Sequence, residues 1–563
     1  MTGWRRYVAA GVVVLGVYMG LAFLNSPRGF LGTDTGGKVA TFEVMSESGR
    51  FDPDLGYWAE RWDPDGTLHP IGYTSHTASG KWVNVTTLPA LWVGWQLYRV
   101  GGYRASLLVP MVGSLAAAFA GLALLRRLGV RSEPWAWAGF FVLALASPLT
   151  IYALDFWEHS VGVALMAWAV VLLCDVLSGA VAWGRRVVGA GVLFGAAATM
   201  RTESLVYLAI AGAALVAVPL WSRRRSSGGP ERARKLSVAT VLASPLLVVS
   251  AAVPLLVNEV VERRVVGSTI RATRVLGTAA SVGDLPTDRL REAAVTLVGL
   301  EGSDLGIALG LLFAALLVFA AARTDAGIAT TATAAAGAVL VVRGLAGGLG
   351  FVPGLAAAWV LPASTIGRAH NEMTVRPRPN VRRFVSTVAV GAAPIVLATQ
   401  FRGGAGPQWG GRYLLVTGFL LAVVGWAALG AKPLPVRIAV VALAVAVTGF
   451  GVAWLRIRSH DVARTIAALE ARPEEVIVSD VYHLAREGGA TYGDKRWLTL
   501  TDRRADAPAA AAVLRAADVQ AFASIQTGGA DRLDFPGFEP ADRATLRLFD
   551  GVDLRITRWE ATP

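Results

Sequence analysis

The chain has 563 residues, of which 54% are hydrophobic and 17% are charged. A water-soluble protein of this length needs a charged surface around its core, so this composition excludes one and predicts a polytopic α-helical membrane protein. The net charge of +13 comes from basic residues that stand between apolar runs rather than along one face. Membrane topology explains that spacing, and we expect no nucleic-acid partner.

The first apolar run extends from Tyr7 to Leu24 and follows Arg5 and Arg6. It is long enough to cross a bilayer and precedes no small-residue cleavage motif, so we interpret it as a transmembrane helix. Basic flanking residues stay on the cytoplasmic side, which puts the N-terminus inside and Asp34 outside.

The later apolar runs alternate with basic turns such as Arg126-Arg127 and Arg185-Arg186, as expected if each of these turns is cytoplasmic. The pattern predicts about thirteen spans with the C-terminus outside. The predicted spans are 7–24, 104–125, 135–154, 160–182, 187–200, 204–221, 236–257, 304–322, 326–342, 345–367, 384–400, 413–430 and 436–455.

Residues 25–103 form a large first outer loop in this topology. Within it, His76 to Val83 contains a glycine turn between strand-like residues and predicts a hairpin. Leu88 to Tyr98 is apolar and rich in tryptophan but too short to cross a bilayer. We therefore expect a helix that lies on the membrane surface.

From residue 457 onwards the sequence becomes more charged, which predicts a soluble extracytoplasmic domain over 457–563 beside a transmembrane domain over 1–456. Alternating patterns predict a small α/β layer, with helices at 460–472 and 507–517 and strands at 475–480 and 519–525. Asp480, at the end of the first strand, is expected to cap the following helix rather than to mark a ligand site.

Five groups of polar residues fall on the outer side in this topology. Arginine there runs against the positive-inside bias, so each outer arginine requires a reason. Bidentate binding of a lipid phosphate is one reason, and an ion pair, such as Arg201 with Glu203, is the other. These groups, which hold the candidate site residues, are Asp34 and Lys38; Asp155, Glu158 and His159; Arg201 and Glu203; Arg263, Arg264, Arg271 and Arg274; and Arg402, Gln408, Trp409 and Arg412.

Two of the outer carboxylates, Asp34 and Asp155, are candidates for acid–base chemistry. A general base works best with a pKa near neutrality, and a second anion nearby helps to raise it there. For each residue, the alternative to acid–base chemistry is a local structural role. Asp34 could form only an Asx turn, and Asp155 could only cap the helix that begins near Ser160.

The spacing of the other residues supports neither a metal site nor a nucleotide-binding site. His69, His76 and His159 lie on the outer side without an HxH or HxxxH arrangement, and Cys174 stands alone inside an apolar run. No Walker A motif occurs in a suitable context, so ATP-driven transport is not supported. We therefore expect no cofactor, with a divalent metal ion as the alternative that the ligand spacing does not support.

Two short motifs accompany this architecture. Residues 406–415, GPQWGGRYLL, contain a Trp-Gly-x-Arg-Tyr element, and residues 201–207, RTESLVY, open a span with a basic residue. An acid follows the first span, a second acid stands at the next outer turn, and a soluble domain ends the chain. Together these features resemble the GT-C superfamily of membrane glycosyltransferases, of the aminoarabinose transferase and protein O-mannosyltransferase type.

The resemblance implies an inverting transfer of a sugar from a polyprenyl-phosphate donor to an acceptor hydroxyl. The acceptor would be a glycan, lipid or protein, and the reaction would take place among membrane lipids at the outer face of the cytoplasmic membrane. Asp34 matches the catalytic acid of the first outer loop and would be the base. Asp155, with Glu158 as the alternative, would orient the acceptor or the base. Arg201 and Arg412 would hold the lipid phosphate as it leaves.

Two other classes of function compete with a transferase. A transporter or flippase of lipid-linked glycan intermediates should carry ionisable residues deep inside its spans, and these spans contain almost none, since Asp175 sits near the inner end of its helix. A non-catalytic scaffold for envelope assembly, acting through the C-terminal domain, is the second alternative. The enzyme is favoured because the large polar first loop has no evident purpose in transport.

Overall fold

The structure, a computed structural model, divides into two compact units. The first unit contains residues 1–21, 108–259 and 274–454, and the second contains residues 22–107, 260–273 and 455–563. The first outer loop thus belongs to the same unit as the C-terminal segment. The described residues are 3–71, 74–84, 87–179, 182–223, 230–270, 286–298, 379–400, 409–431, 434–528, 533–547 and 553–562.

Helices form the described part of the first unit, and helices and strands form that of the second. In chain order the α-helices are α1 (Gly3–Ala22), α2 (Thr33–Ser48), α3 (Leu88–Ser106), α4 (Leu108–Arg127), α5 (Glu133–Leu145), α6 (Pro148–Ala153), α7 (His159–Leu177), α8 (Trp183–Met200), α9 (Ser204–Arg223), α10 (Pro230–Val266), α11 (Pro286–Val298), α12 (Pro379–Thr399), α13 (Leu415–Leu429), α14 (Leu434–Glu470), α15 (Leu484–Glu487) and α16 (Arg503–Ala516). Short 3₁₀ helices cover Arg412–Leu414 and Gly489–Asp494. The strands are β1 (Thr74–His76), β2 (Trp82–Asn84), β3 (Val476–Ser479), β4 (Arg496–Thr499), β5 (Ala521–Thr527), β6 (Phe538–Arg547) and β7 (Asp553–Ala561).

Among the described residues, eight helices are long and apolar enough to cross a membrane. They are Gly3–Ala22, Leu108–Arg127, His159–Leu177, Ser204–Trp221, Val241–Val266, Asn380–Thr399, Arg412–Leu429 and Val440–Glu470. The chain is therefore a multi-pass membrane protein, although the predicted total of about thirteen spans is not confirmed. The predicted span 187–200 is a helix, α8, but is not one of the eight. The predicted spans 304–322, 326–342 and 345–367 lie outside the described residues.

The predicted span 135–154 is not one continuous helix, because the chain forms two helices there, α5 and α6. Ala146 lies outside the helical region, with φ −131° and ψ 44°, and Pro148 begins α6 without an N–H for the preceding turn. Ser147 caps α6 by accepting a hydrogen bond from the Leu149 N–H at 3.2 Å. With 13 residues, α5 is too short to cross a hydrocarbon core about 30 Å thick.

The helix of the last predicted span, 436–455, continues beyond the predicted end of the span, because α14 extends to Glu470. The helix predicted separately at 460–472 is this continuation. Its residues Val462, Ile466 and Leu469 recur at helical spacing and are buried against the sheet of the second unit. The helix therefore continues without a break, while its apolar residues change the element against which they pack.

One end of the first unit collects charged residues from three helices. Asp175, near the end of α7, accepts hydrogen bonds from Arg127 Nε and Nη2 at 2.7 and 2.9 Å, and Arg186 Nη1 lies 2.5 Å from its second oxygen. Arg127 ends α4 and Arg186 lies in the first turn of α8. The basic turns that the sequence placed on one side of the membrane thus meet at one end of these helices.

The second unit contains a five-stranded sheet with the order β4-β3-β5-β7-β6. β3 pairs in parallel with β4 and β5, whereas β7 pairs antiparallel with β5 and β6. Because side chains alternate along a strand, Val476 and Val478 pack with α16 and with Leu68 and Trp82, while Ile477 packs with α14. The predicted small α/β layer is confirmed, and both faces of its sheet are covered.

Asp480 follows β3 but does not cap a helix, contrary to expectation. Its Oδ1 accepts a hydrogen bond from the Thr527 N–H, at the end of β5, at 3.0 Å. His483 occupies the N-cap position of α15, and its side chain makes no capping bond. Asp480 therefore ties the ends of two parallel strands together.

The hairpin predicted in the first outer loop is confirmed. β1 and β2 pair antiparallel with His76 opposite Trp82, and Gly80 turns the chain at φ +75°. The predicted surface helix is α3, which extends to Ser106 through non-helical residues at Gly101 and Gly102. Its residue Trp92 is 51% exposed, and the placement of this helix on a membrane surface stays a prediction.

The contact between α8 and α10 generates a stability prediction. A methyl group on Gly195 would overlap the carbonyl oxygen of Ala251, so Gly195→Ala should force the helices apart and cost about 1–3 kcal/mol. Gly184, on the same helix, faces open space, and Gly184→Ala should be neutral or stabilising. Thermal unfolding of the full chain in detergent measures both. Equal Tm values for the two variants would contradict the close helix contact.

Candidate functional site

Asp34 lies in the first turn of α2, so the Asx turn considered for it is wrong. Gly32 occupies the N-cap position in an extended conformation, with φ −147° and ψ 160°, and offers no side chain as a cap. A carboxylate in the first turn interacts favourably with the unpaired N–H groups at a helix N-terminus. The acidic residue is thus placed at the end of the helix where its charge is stabilising.

Asp34 forms an ion pair with a residue from the far end of the sequence. Arg486 Nη2 donates a hydrogen bond to Asp34 Oδ1 at 2.7 Å, and the two residues are 452 positions apart. The Arg486 side chain is 4% exposed, whereas the Asp34 side chain is 39% exposed. The guanidinium is therefore buried, and the carboxylate that it holds can be reached from solvent.

Two glycines after Asp34 allow α2 to lie close to the segment that contains Arg486 and to Asn84. A Cβ on Gly36 would overlap the carbonyl oxygen of Arg486, and a Cβ on Gly37 would lie 2.6 Å from Asn84 Nδ2. Lys38 lies one turn beyond Asp34 and is buried. The Asp-Thr-Gly-Gly sequence therefore serves helix packing as well as carrying the acid.

Arg458, on α14, fixes both segments that form the pair. Its Nε donates to the Leu31 carbonyl oxygen at 2.8 Å, and its Nη2 donates to Glu487 Oε1 at 2.9 Å. A Cβ on Gly29 would overlap the backbone of Ser459, so the loop before α2 lies directly on α14. One guanidinium thus binds both the chain segment that leads to Asp34 and the residue that follows Arg486.

In the first unit, Arg201 is paired with two acids. It follows α8, and its Nε donates to Glu203 Oε1 at 2.7 Å while its Nη1 lies 3.9 Å from Glu158 Oε1. Burial lowers the pKa of Arg201, but the two carboxylates outweigh burial and raise it above its usual value. The predicted ion pair of Arg201 with Glu203 is therefore present.

Arg412 is stacked between two aromatic rings. Its guanidinium carbon lies 5.1 Å from the centre of the Trp157 ring and 4.9 Å from that of Tyr413. Gly410 and Gly411 precede it at φ +69° and +64°, which only glycine adopts readily. This turn lets Trp409 pack on Trp454 while the next side chain points to Trp157. The WGGRY sequence therefore builds a cation-and-ring cluster.

Asp155 and His159 are buried beside this cluster. Asp155 is 1% exposed and does not cap α7, because Glu158 occupies the N-cap position, without a side-chain capping bond. His159 begins α7 and stacks on Trp157, with ring centres 4.7 Å apart. The capping role considered for Asp155 is therefore wrong.

The first unit thus brings together three of the five predicted polar groups. Arg402 and Gln408, predicted to join them, lie outside the described residues, as do Arg271 and Arg274. Arg263 and Arg264 end α10 within the second unit, and Asp34 and Lys38 belong to that unit as well. The residues brought together are Asp155, Glu158, His159, Arg201, Glu203, Trp409 and Arg412.

The histidines of the second unit serve packing. The rings of His69 and His76 stack on Trp82, with centres 4.8 and 4.2 Å from its ring centre. Burial lowers the pKa of His69 to about 4, so its imidazole is neutral at physiological pH. Within the described residues, no three His, Cys, Asp or Glu side chains are grouped closely enough to hold a metal ion.

Sequence analysis missed Arg458, Arg486 and Glu487. A signal was present, because Glu487 is followed by Gly488 and Gly489 much as Asp34 is followed by a glycine pair. Paired glycines beside a charged residue permit close approach of two backbones. No local pattern, however, identifies which two segments approach each other.

Comparison with known proteins finds solved structures of low sequence identity. No family model matches the chain, and no curated protein matches it. It is similar to the apo oligosaccharyltransferase of Archaeoglobus fulgidus, with a TM-score of 0.46 and 12% identity over 92% of this chain and 69% of that one. It is also similar to ArnT from Cupriavidus metallidurans, in the apo state and bound to undecaprenyl phosphate, with TM-scores of 0.40 and 0.39 and 15% identity over 99% of this chain and 98% of that one.

Both matched proteins are GT-C glycosyltransferases, the superfamily that the sequence motifs resemble. At these TM-scores and identities, the matches transfer no residue role to this chain. Roles are therefore derived below from contacts within the chain itself.

The glycine pair of α2 generates a graded prediction. Gly36→Ala should displace residues 484–488, because its methyl group meets backbone, whereas that of Gly37→Ala meets side chains, with Asn84 Nδ2 at 2.6 Å and Arg486 Nε at 3.4 Å. Overpacking against backbone costs about 1–3 kcal/mol, and a side chain can move aside at lower cost. Hydrogen exchange of the peptide containing Arg486 should therefore rise more in Gly36→Ala than in Gly37→Ala. The reverse order would contradict the close approach.

Proposed function

We propose that the chain is an inverting glycosyltransferase. It moves a sugar from a polyprenyl-phosphate donor to the hydroxyl of a glycan, lipid or protein at the outer face of the cytoplasmic membrane. In this topology the N-terminus is cytoplasmic and the C-terminal domain is outside. The observation that carries the proposal is the accessible Asp34 carboxylate, held in place by the buried Arg486.

Asp34 meets the requirements of a general base. Its carboxylate is accessible to an acceptor hydroxyl, and its position is fixed by the ion pair and by the start of α2. A base must lie within hydrogen-bond reach of the proton that it removes, so a fixed and accessible carboxylate has the needed geometry. The motif resemblance assigns the same role to this residue.

Arg412 is the better of the two predicted phosphate ligands. Arg201 already faces Glu203 and Glu158, so much of its charge is balanced. Arg412 lies over two rings, and a guanidinium carries its N–H groups in its own plane, where phosphate oxygens can bind. Arg201 instead holds Glu203 and Glu158. Lys38, His159, Glu203 and Trp409 stay the other proposed substrate-binding residues.

The transfer follows from these roles. Asp34 takes the proton from the acceptor hydroxyl as its oxygen attacks the anomeric carbon of the donor sugar. The bond between that carbon and the phosphate oxygen breaks, and the electron pair leaves with the lipid phosphate, whose charge Arg412 stabilises. Attack opposite the leaving group inverts the anomeric carbon. Asp155 or Glu158 orients the acceptor, and the scheme includes no metal ion or other cofactor.

The transporter alternative gains no support from Asp175. Asp175 is held by Arg127 and Arg186 at the end of three helices, so its charge is committed to ion pairs. A residue that couples transport must change its charge or its partners during the cycle. The transferase needs no such change and uses the residues as they are placed.

Asp34→Asn tests the assignment of the base. We expect the transfer rate to fall about 10²- to 10⁴-fold, because an amide cannot accept the proton. Glu43→Gln is the matched control, since Glu43 lies on the same helix, accepts a hydrogen bond from Tyr98 and is also partly exposed. The assay uses purified full chain, polyprenyl phosphates carrying radiolabelled hexoses or pentoses, and membranes from cells that lack the chain as acceptor.

Radiolabel should enter a new glycoconjugate with the wild-type chain and with Glu43→Gln. Equal rates for wild type and Asp34→Asn would refute the role of Asp34. Movement of the labelled lipid across reconstituted vesicles without any covalent product would instead support a transporter.

Arg412→Met tests the phosphate site. We expect crosslinking to a photoreactive polyprenyl phosphate to fall about 10- to 100-fold, the usual effect of losing hydrogen bonds to a charged group. Arg437→Met is the matched control, because Arg437 stacks on Trp135 at 5.3 Å in the same unit but does not belong to the cluster. Equal losses in the two variants would show that stacking, not phosphate binding, is being measured.

A further inference from the structure

We propose that Arg486 is a positioning residue for Asp34, so that the C-terminal domain completes the site of the proposed base. This inference rests on the proposed function for its effect on catalysis. The claim that the Arg486 guanidinium determines the orientation of the Asp34 carboxylate rests on the contacts alone. Arg486 itself would not touch the reacting atoms.

The pair is asymmetric in a way that suits positioning. Arg486 is 4% exposed and Asp34 is 39% exposed, so the guanidinium lies in the protein interior and the carboxylate lies at its edge. A buried guanidinium requires acceptors, because an uncompensated charge in the interior is strongly unfavourable. The Asp34 oxygen that accepts from it is therefore held in one orientation, while the carboxylate remains accessible.

The frame around the pair is rigid on both sides. On the α2 side, the absence of a side chain at Gly36 places that helix directly on the backbone of Arg486. On the other side, Arg458 bonds to Leu31 and to Glu487, which precede Asp34 and follow Arg486 in sequence. Gly489, at φ +54°, packs against Phe30, so the segment after Arg486 is fixed as well.

This frame has a consequence for catalysis. A general base contributes most when its oxygen is held at the productive distance and angle, and a displacement of about 1 Å can cost about 10²-fold in rate. Asp34 stands only two residues beyond a glycine N-cap that makes no side-chain bond, so the helix end alone restrains it weakly. The restraint comes from Arg486 in the C-terminal domain.

The test compares Arg486→Met and Arg486→Lys with Arg472→Met in the full chain. Arg472 is the matched control, because it makes two hydrogen bonds of 3.0 Å to the buried Glu474 in the same unit, away from Asp34. The first readout needs no transferase substrate. Asp34 is labelled with a carbodiimide and an amine, the labelled peptide is quantified by mass spectrometry, and Asp34→Asn supplies the blank.

We expect labelling of Asp34 to rise about threefold or more in Arg486→Met, because its oxygen loses a charged partner. Labelling should stay at the wild-type level in Arg472→Met and be intermediate in Arg486→Lys. Unchanged labelling in Arg486→Met, or an equal rise in Arg472→Met, would overturn the proposal.

The second readout is the transfer assay described above. A positioning role predicts that kcat falls about 10²-fold in Arg486→Met while KM for the donor changes little, with partial rescue in Arg486→Lys. Equal loss in Arg472→Met would show only a structural role and would overturn the proposal. If the wild-type chain transfers no sugar from any donor tested, the proposed function fails, and the labelling result still decides whether Arg486 holds Asp34.

Discussion

A buried guanidinium needs an acceptor, and this requirement shapes each charged cluster of the described structure. The chain is 54% hydrophobic, so an arginine that leaves water finds few polar groups by chance and must be given partners. Each buried or partly buried arginine therefore marks a place where separate segments are brought together. The pairs that do this are Arg127 and Arg186 with Asp175, Arg201 with Glu203 and Glu158, Arg458 with Glu487, and Arg486 with Asp34.

These clusters are not equivalent. Around Asp175, two guanidiniums share one carboxylate, so the acid is saturated and its role is structural. Around Arg201 the ratio is reversed, with two carboxylates on one guanidinium. At Asp34 one buried guanidinium holds one accessible carboxylate. Accessibility on one side and a fixed partner on the other distinguish a candidate catalytic acid from an acid that only holds helices together.

Glycine makes two of these arrangements possible, by different means. In α2, Gly36 has no side chain, so its backbone can contact the backbone of Arg486. Before Arg412, Gly410 and Gly411 adopt a left-handed conformation that reverses the chain within two residues. Both glycine pairs lie inside motifs that the sequence had singled out. Their physical purpose, close approach in one case and a turn in the other, follows from the neighbours that the fold provides.

The sequence by itself determined the features that depend on composition and local period. It identified the membrane class, the hairpin with its turn at Gly80, the α/β layer, and the polar residues Asp155, Arg201 and Arg412, which the fold brings together. These succeed because an apolar run, a strand alternation or a turn residue has the same meaning in any tertiary context. It missed the helix break before Pro148, although Ser147 and Pro148 are local signals, and it missed the continuation of α14, along which the packing partner of the helix changes.

Only the tertiary structure decided the partners. Arg486 lies 452 residues from Asp34, and nothing in either local sequence identifies the other. The same holds for Arg458, which joins Leu31 to Glu487. Contacts of this range arise from the packing of whole elements, and their selection depends on burial and charge compensation that a single sequence does not display. The sequence therefore indicated which acid to consider, and the fold showed what holds that acid in place.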